Sequence, residues 1–148
     1  TRKKNSNNYL KKIGSHKVMF LNNDFDKKFL NHKVFAGSID NVGGNLLDWI
    51  IKSTHDNGNI VSVGMASSYN LNTTIFPLIM RGVNILGVSS TNYPNSKRKF
   101  VWRKLSEAYK PKKLNIINKQ SIELTDIKKY SKILLSGKNT GKVIIKNF

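Results

Sequence analysis

Apolar residues recur along the chain with two spacings, one typical of amphipathic helices and the other of short buried strands. Helical spacing predicts helices at residues 5–13, 24–30, 45–53, 73–81, 96–109 and 126–135. Short continuous apolar runs predict strands at residues 17–21, 34–39, 59–63, 83–88, 121–124 and 142–146. Strands that alternate with helices indicate an α/β fold built on a parallel sheet.

Turn and capping residues mark the ends of several of these elements. Gly14 and Gly137 are placed to end helices, and Thr125 is placed to cap the start of the helix at 126–135. Pro77 is expected in the first turn of its helix, because proline disfavours a helix interior. Predicted turns lie at residues 41–44 and 56–58.

The residues that could carry chemistry form no recognisable catalytic or metal-binding group. The chain contains no G-x-G-x-x-G, P-loop, H-E-x-x-H or G-x-S-x-G sequence. Its histidines are isolated among polar residues, and its few carboxylates form no pair suited to general acid–base catalysis. Gly43 and Gly44 lack the other glycines of a dinucleotide-binding turn, so we interpret them as a tight strand-to-helix turn.

Composition narrows the class of protein. With 39% hydrophobic residues, the 148-residue chain can build a core and is not disordered throughout. The absence of cysteine excludes disulfides and thiolate metal sites. Because the sequence has no apolar run of about 20 residues and no secretory signal, we expect no membrane partner and a cytoplasmic location.

The formal net charge of +18 raises nucleic acid as a partner. The excess is mostly lysine, spread along the chain with many asparagines and isoleucines, whereas arginine occurs only at Arg2, Arg81, Arg98 and Arg103. Nucleic-acid surfaces favour arginine interleaved with aromatic residues. We therefore interpret the charge as a lysine bias and expect no nucleic-acid partner. A basic α/β module that binds nucleic acid or other anionic partners stays as the alternative from another class.

Residues 35–44, with the sequence FAGSIDNVGG, resemble the signature FAGAIDTVGG of a group of reductases. Other segments match in the same order: YLKKIG at 9–14 resembles YLKSLG, VGMA at 63–66 resembles CGLA, LNTTIFPLIMRGV at 71–83 resembles LPTTVMPFILRNV, LGVSS at 86–90 resembles QGVDS, and GK at 141–142 resembles the start of GRTLV. Together these motifs resemble the acrylyl-CoA reductase branch of the medium-chain dehydrogenase/reductases, within their zinc-independent, quinone-oxidoreductase-like group.

The resemblance implies a fold and a domain organisation. Residues 1–118 would form part of an NADP-binding Rossmann domain, a doubly wound parallel sheet that lacks its first strands here. Residues 119–148 would return to pack on a GroES-like catalytic domain. The sequence begins with Thr1 where the family has already passed its glycine-rich phosphate turn. We therefore expect a C-terminal fragment that is inactive alone and has an open sheet edge, which is an aggregation hazard.

The resemblance also implies an activity. The parent protein would reduce the C=C bond of an activated enoyl substrate, such as acrylyl-CoA, by hydride transfer from NADPH. A quinone or enone reductase on the same fold is the alternative within this class. The implied partners are the small-molecule enoyl-CoA or enone substrate and a second copy paired through the Rossmann domain. No catalytic residue and no metal ligand is assigned to this chain.

Three basic residues near the start stand where the family places its adenosine phosphate site: Arg2, Lys3 and Lys17. Arg2 and Lys3 stand beyond the second Rossmann strand, where a reader of the NADP 2′-phosphate is expected, and no acidic residue occupies 1–4. Lys17 matches another basic position near the same phosphate. These residues favour NADP over NAD.

The remaining predicted cofactor-binding residues follow the later strands. Gly64, Met65 and Ala66 match the family segment beside the nicotinamide ribose, where glycine allows close approach of a ligand to the backbone. The next loops over the nicotinamide would contain the following residues: Met80, Arg81, Gly87 and Ser89.

Overall fold

The computed structural model describes residue 1, residues 3–21, residue 25 and residues 28–146, without the side chains of Lys4, Asn118 and Lys119. These residues form two compact units. The terminal unit consists of Thr1–Leu21 with Arg98–Phe148, and the central unit consists of Asn22–Lys97. The predicted domain boundary between residues 118 and 119 stays a prediction.

Helices and strands alternate through most of the described chain. The helices are α1 (Asn7–Ile13), α2 (Gly44–Lys52), α3 (Phe76–Arg81), α4 (Asn95–Ser106), α5 (Leu114–Ile117) and α6 (Ile127–Leu135). The strands are β1 (Phe35–Asp40), β2 (Thr54–Ser62), β3 (Asn84–Gly87), β4 (Asn118–Glu123) and β5 (Lys142–Lys146). Short 3₁₀ turns at Lys4–Ser6 and Leu124–Asp126 precede α1 and α6. None of the described helices is long and apolar enough to cross a membrane.

The central unit is built on a parallel sheet with the strand order β1-β2-β3. Helix α2 connects β1 to β2, and α3 lies between β2 and β3. Parallel neighbours require such crossovers, because a tight turn cannot bring a chain back in the same direction. The predicted α/β fold with a parallel sheet is confirmed.

One apolar face of α2 holds this sheet together. Leu47, Ile50 and Ile51 are buried on α2, at the spacing that forms a single stripe, and they cluster with Ile60 of β2 and Val83 before β3. Ile51 and Ile60 are completely buried. These side chains form the core of the central unit.

The opposite face of the same sheet is open in the structure. Ile39, Val61 and Leu86 lie side by side on β1, β2 and β3, one residue along from the buried row. Because side chains alternate between the two faces of a strand, this row points away from α2. Ile39 is 71% exposed and Leu86 is 48% exposed. The sheet is therefore packed on one face.

The terminal unit contains a second parallel sheet, formed by β4 and β5 and connected by α6. Ile122 of β4 is buried, whereas Leu134 and Leu135 of α6 are exposed. A two-stranded parallel pair is small, and parallel sheets are normally covered on both faces.

Several predicted elements differ from the structure. Residues 17–21 form no strand, although hydrogen bonds join Thr1 to the backbone of Met19 and Leu21. These two bonds pair the segment with a single residue, which is too little for a strand ladder. The predicted helix at 24–30 falls partly outside the described residues, and residues 28–30 are not helical.

Two local predictions were also wrong. The turn predicted at 56–58 lies inside β2, where the register with β1 shifts between Phe35 and Gly37. Asn57 adopts a left-handed conformation there, with φ of 57°, so the turn signal produces an irregularity in a strand. Thr125 does not cap α6, because it lies within a 3₁₀ turn, and no side-chain cap bond is formed there.

We predict that Ile60→Ala lowers the free energy of unfolding of the chain by about 2–5 kcal/mol, because it removes a completely buried side chain beneath α2. Ile39→Ala makes the same change on the open face and is expected to cost less than about 0.5 kcal/mol. Urea denaturation of both variants measures the difference. Equal losses would contradict the one-sided packing.

Candidate functional site

The three strands of the central sheet end level with one another. Asp40, Ser62 and Gly87, the last residues of β1, β2 and β3, are direct partners in the register. The segments that follow them therefore start from one edge of the sheet. In open α/β sheets, ligands bind outside the carboxyl ends of the strands. This edge is the candidate site.

The first segment at this edge is organised by the carboxylate of Asp40. The residue is 2% exposed. Its Oδ1 accepts hydrogen bonds from the backbone N–H of Val42 at 3.0 Å and of Gly43 at 3.1 Å, and its Oδ2 accepts a second bond from Gly43 at 3.1 Å. A buried carboxylate needs such donors, because burial without partners is costly. The turn predicted at 41–44 is confirmed and has a specific anchor.

The second segment is hydrogen-bonded to the first. The carbonyl of Asn41 accepts from the N–H of Ala66 at 3.2 Å, and the carbonyl of Val42 accepts from the N–H of Ser67 at 2.9 Å and of Ser68 at 3.4 Å. We call residues 64–68 the β2 loop. Its backbone is thus held against the turn that follows β1.

Close backbone contacts explain two of the glycines at this edge. A Cβ atom on Gly43 would lie 2.3 Å from the carbonyl oxygen of Ser68, and one on Gly64 would lie 2.9 Å from that of Asn41. Gly43 also has a φ of 69°, which is a left-handed conformation. Only glycine fits the first position without displacing the β2 loop.

A cleft of about 320 Å³ opens beside these segments. It is lined by three glycines and by larger neighbouring residues: Gly43, Gly44 and Gly64, with Leu47, Ser62, Val63, Met65, Ser68, Tyr69, Asn70 and Leu71. Within the described ranges, no three His, Asp or Glu side chains come together as metal ligands. The cleft thus combines three glycines with apolar side chains such as Leu47 and Leu71.

The structure brings together five of the residues predicted to bind a cofactor. These residues follow or end β2 and β3 at the same edge: Gly64, Met65, Ala66, Gly87 and Ser89. All except Gly64 are exposed, and a Cβ atom added to Gly87 would meet nothing within 4 Å. Their role in cofactor binding stays a prediction.

Met80 and Arg81 lie elsewhere. They end α3, which leads into the amino end of β3. The Arg81 guanidinium donates to the carbonyls of Lys52 at 2.9 Å, Thr54 at 3.2 Å and Asn31 at 2.7 Å. These contacts tie the start of β2 to the segment before β1. The structure does not bring these two residues to the edge that holds Gly64 and Gly87.

The predicted phosphate readers lie in the terminal unit. Arg2 lies outside the described residues. Lys3 is exposed, and its Nζ donates to the carbonyl of Asn139 at 2.6 Å. Lys17 is also exposed and lies in the irregular segment that replaces the predicted strand. Their role in phosphate binding stays a prediction.

Sequence reasoning missed the role of Asp40 in shaping the candidate site. An aspartate at the end of a strand, followed by a turn, commonly accepts hydrogen bonds from backbone N–H groups two or three residues further along. The sequence of residues 40–44, DNVGG, carries this signal. The sequence predicts the turn, and the structure adds the carboxylate that fixes it.

We predict that Gly43→Ala destabilises the chain by about 3 kcal/mol or more, because the left-handed conformation and the contact with a backbone oxygen both oppose a side chain. Gly82→Ala is the matched control in the same unit. Gly82 has a φ of 58°, but its added Cβ would meet only the movable side-chain end of Asn57. We expect that control to lose about 1–2 kcal/mol in urea denaturation. Equal losses of unfolding free energy in the two variants would show that the β2 loop moves aside at little cost.

The chain is similar in sequence to proteins from two groups of oxidoreductases. No family model matches it. It is 29% identical over 140 residues to the putative quinone oxidoreductase YhfP of Bacillus subtilis, covering 93% of this chain and 42% of that protein. It is 26% identical over 144 residues to the probable acrylyl-CoA reductase AcuI of Escherichia coli, covering 97% of this chain and 44% of that protein.

Solved structures agree with these matches. The crystal structure of Escherichia coli YhdH with bound NADPH matches 99% of this chain and 45% of that protein, with a TM-score of 0.89 and 26% identity. Bacillus subtilis YhfP with NAD bound matches 98% of this chain and 45% of that protein, with a TM-score of 0.89 and 27% identity. The chain thus spans less than half the length of these relatives. The matches confirm its predicted resemblance to the acrylyl-CoA reductase and quinone-oxidoreductase-like branch of the medium-chain dehydrogenase/reductases.

Proposed function

We propose that the chain is the latter part of an NADPH-dependent reductase that acts on the C=C bond of an activated enoyl substrate, such as acrylyl-CoA. The level carboxyl ends of β1, β2 and β3 carry this proposal. They lie at the edge where open α/β sheets bind their ligands. The similarity to a relative crystallised with NADPH supports the choice of cofactor.

The residues at this edge fit the nicotinamide half of the cofactor. Gly64 and Gly87 carry no side chain, Gly64 and Met65 line the cleft, and Ala66 is an exposed residue next to them. In this proposal, Gly64, Met65 and Ala66 flank the nicotinamide ribose, and Gly87 and Ser89 border the ring. A bound nicotinamide would supply the hydride for the reduction.

The chain's own contribution is to bind and orient. Hydrogen bonds from the β2 loop to Asn41 and Val42 hold the proposed binding surface in one conformation. A preformed surface orients a cofactor without paying for its ordering at each turnover. We assign no catalytic residue to this chain, and stabilisation of the developing enolate falls to residues outside it. Residues 119–148 would pack on the catalytic domain.

The basic residues Lys3 and Lys17 support NADPH over NADH. A 2′-phosphate is recognised by cationic groups, whereas an acidic residue recognises the free ribose hydroxyls of NAD. Both lysines are exposed. The proposal also includes a cytoplasmic location and pairing of two copies through the Rossmann domain.

The activity is tested with the full-length protein that contains this chain. We expect it to oxidise NADPH, monitored at 340 nm, in the presence of acrylyl-CoA, with kcat/KM at least about tenfold above that for quinones, an advantage that corresponds to about 1.4 kcal/mol. Preference for quinones would favour the alternative within the class, which the similarity to YhfP supports. No NADPH oxidation with either substrate, together with tight, salt-dependent nucleic-acid binding in a gel shift, would favour the basic-module alternative.

Cofactor preference gives a second test. We predict that Lys17→Ala and Lys3→Ala each lower kcat/KM for NADPH by about tenfold or more, because a charge-assisted hydrogen bond to phosphate contributes about 1.5–3 kcal/mol. The values for NADH should not change. Lys11→Ala removes an exposed lysine from α1 in the same unit and is the matched control. If Lys11→Ala lowers kcat/KM for NADPH as much as the test variants do, the loss reflects a general effect of charge.

A further inference from the structure

Backbone hydrogen bonds to the turn after β1 hold the β2 loop. The N–H groups of Ala66, Ser67 and Ser68 all donate to carbonyls of Asn41 and Val42. The N–H of Val63, just before the loop, donates to the carbonyl of Asp40 at 2.8 Å. The orientation of the β2 loop therefore depends on where those carbonyls point.

The Asp40 carboxylate fixes that orientation. Peptide groups are planar, so a peptide whose N–H is held also has its carbonyl direction restricted. The N–H of Val42 belongs to the peptide that contains the carbonyl of Asn41, and the N–H of Gly43 belongs to the peptide that contains the carbonyl of Val42. Asp40 accepts from both N–H groups. One buried carboxylate thus holds both peptides whose carbonyls bind the β2 loop.

We infer that Asp40 is a positioning residue for cofactor binding. It acts on the nicotinamide side of the site through the peptides of Asn41–Val42 and Val42–Gly43, which in turn place Gly64, Met65 and Ala66. This inference rests on the proposed function, because it assigns the β2 loop to the cofactor. Asp40 itself is almost completely buried and acts on the β2 loop through these two peptides.

The choice of variants follows from the geometry. Asp40→Ala removes every acceptor. Asp40→Asn keeps an oxygen at the Oδ1 position, which receives the bonds from both Val42 and Gly43, so it should rescue most of the function. Asp48→Ala is the matched control, because Asp48 is another largely buried acid of the same unit, bound to Lys52 at 2.7 Å on α2. It should destabilise the unit without acting on the β2 loop.

Amide hydrogen exchange of the full-length protein that contains this chain tests the positioning directly. In Asp40→Ala, we expect the amides of residues 66–68 to exchange about tenfold faster or more, as their local opening becomes easier. Asp40→Asn should stay within about threefold of the unsubstituted chain. Asp48→Ala should accelerate exchange at residues 66–68 by no larger a factor than at the core amides of Ile51 and Ile60. Unchanged exchange at 66–68 in Asp40→Ala, or equal acceleration of the core, would overturn the inference.

Steady-state kinetics of the full-length protein test the consequence for function. We expect Asp40→Ala to raise KM for NADPH about tenfold, which corresponds to the loss of roughly one charge-assisted hydrogen bond. KM for the enoyl substrate should not change, and Asp40→Asn should restore most of the NADPH affinity. A purely structural role would lower the amount of active enzyme and leave KM for NADPH as it is.

The two measurements separate the inference from the proposed function. Faster exchange at 66–68 with an unchanged KM for NADPH would refute positioning while leaving the reductase proposal intact. An unsubstituted protein that oxidises no NADPH would refute the proposed function and the positioning role with it, and the exchange data would then describe a loop clamp alone.

Discussion

The packing of α2 on one face of the central sheet is the interaction on which the rest of this unit depends. Ile51 and Ile60 lie completely buried in one apolar cluster, and this cluster fixes β2 beneath the helix that follows β1. Only Ser53 separates α2 from β2. A slip of β2 by one residue would therefore turn Ile60 to the open face and Val61 to the helix. The buried stripe therefore sets the register, and the register makes Asp40, Ser62 and Gly87 end level with one another.

The elements that the sequence predicted well are those whose signals are local. The stripe of apolar residues on α2 needs only helical spacing to be recognised, and its last turn is followed by the buried strand that it covers. Pro77 lies in the first turn of α3 and Gly82 ends it in a left-handed conformation, as backbone preferences require. In each case the residues within the element determine its structure.

The failures share a dependence on something beyond the local sequence. The apolar run at 17–21 has the composition of a strand, yet a strand also needs a neighbour, and this segment joins neither of the two described sheets. The turn signal at 56–58 predicts a break between the helix at 45–53 and the strand at 59–63. In the structure, pairing with β1 continues on both sides of it, so Asn57 becomes an irregularity within β2.

The candidate site could be predicted in part, and the missing part follows from chain direction. In a parallel sheet, residues that follow a strand reach the carboxyl edge, whereas residues that precede a strand reach the amino edge. Gly64 and Gly87 satisfy the first condition, but Arg81 precedes β3, and its guanidinium binds carbonyls at the start of β2. A family motif that runs through a helix into a strand thus spans both edges, so similarity over the whole motif does not assign all its residues to one site. The same rule explains why Asp40 matters, since the last residue of a strand is the nearest point from which a buried side chain can hold the loops at that edge.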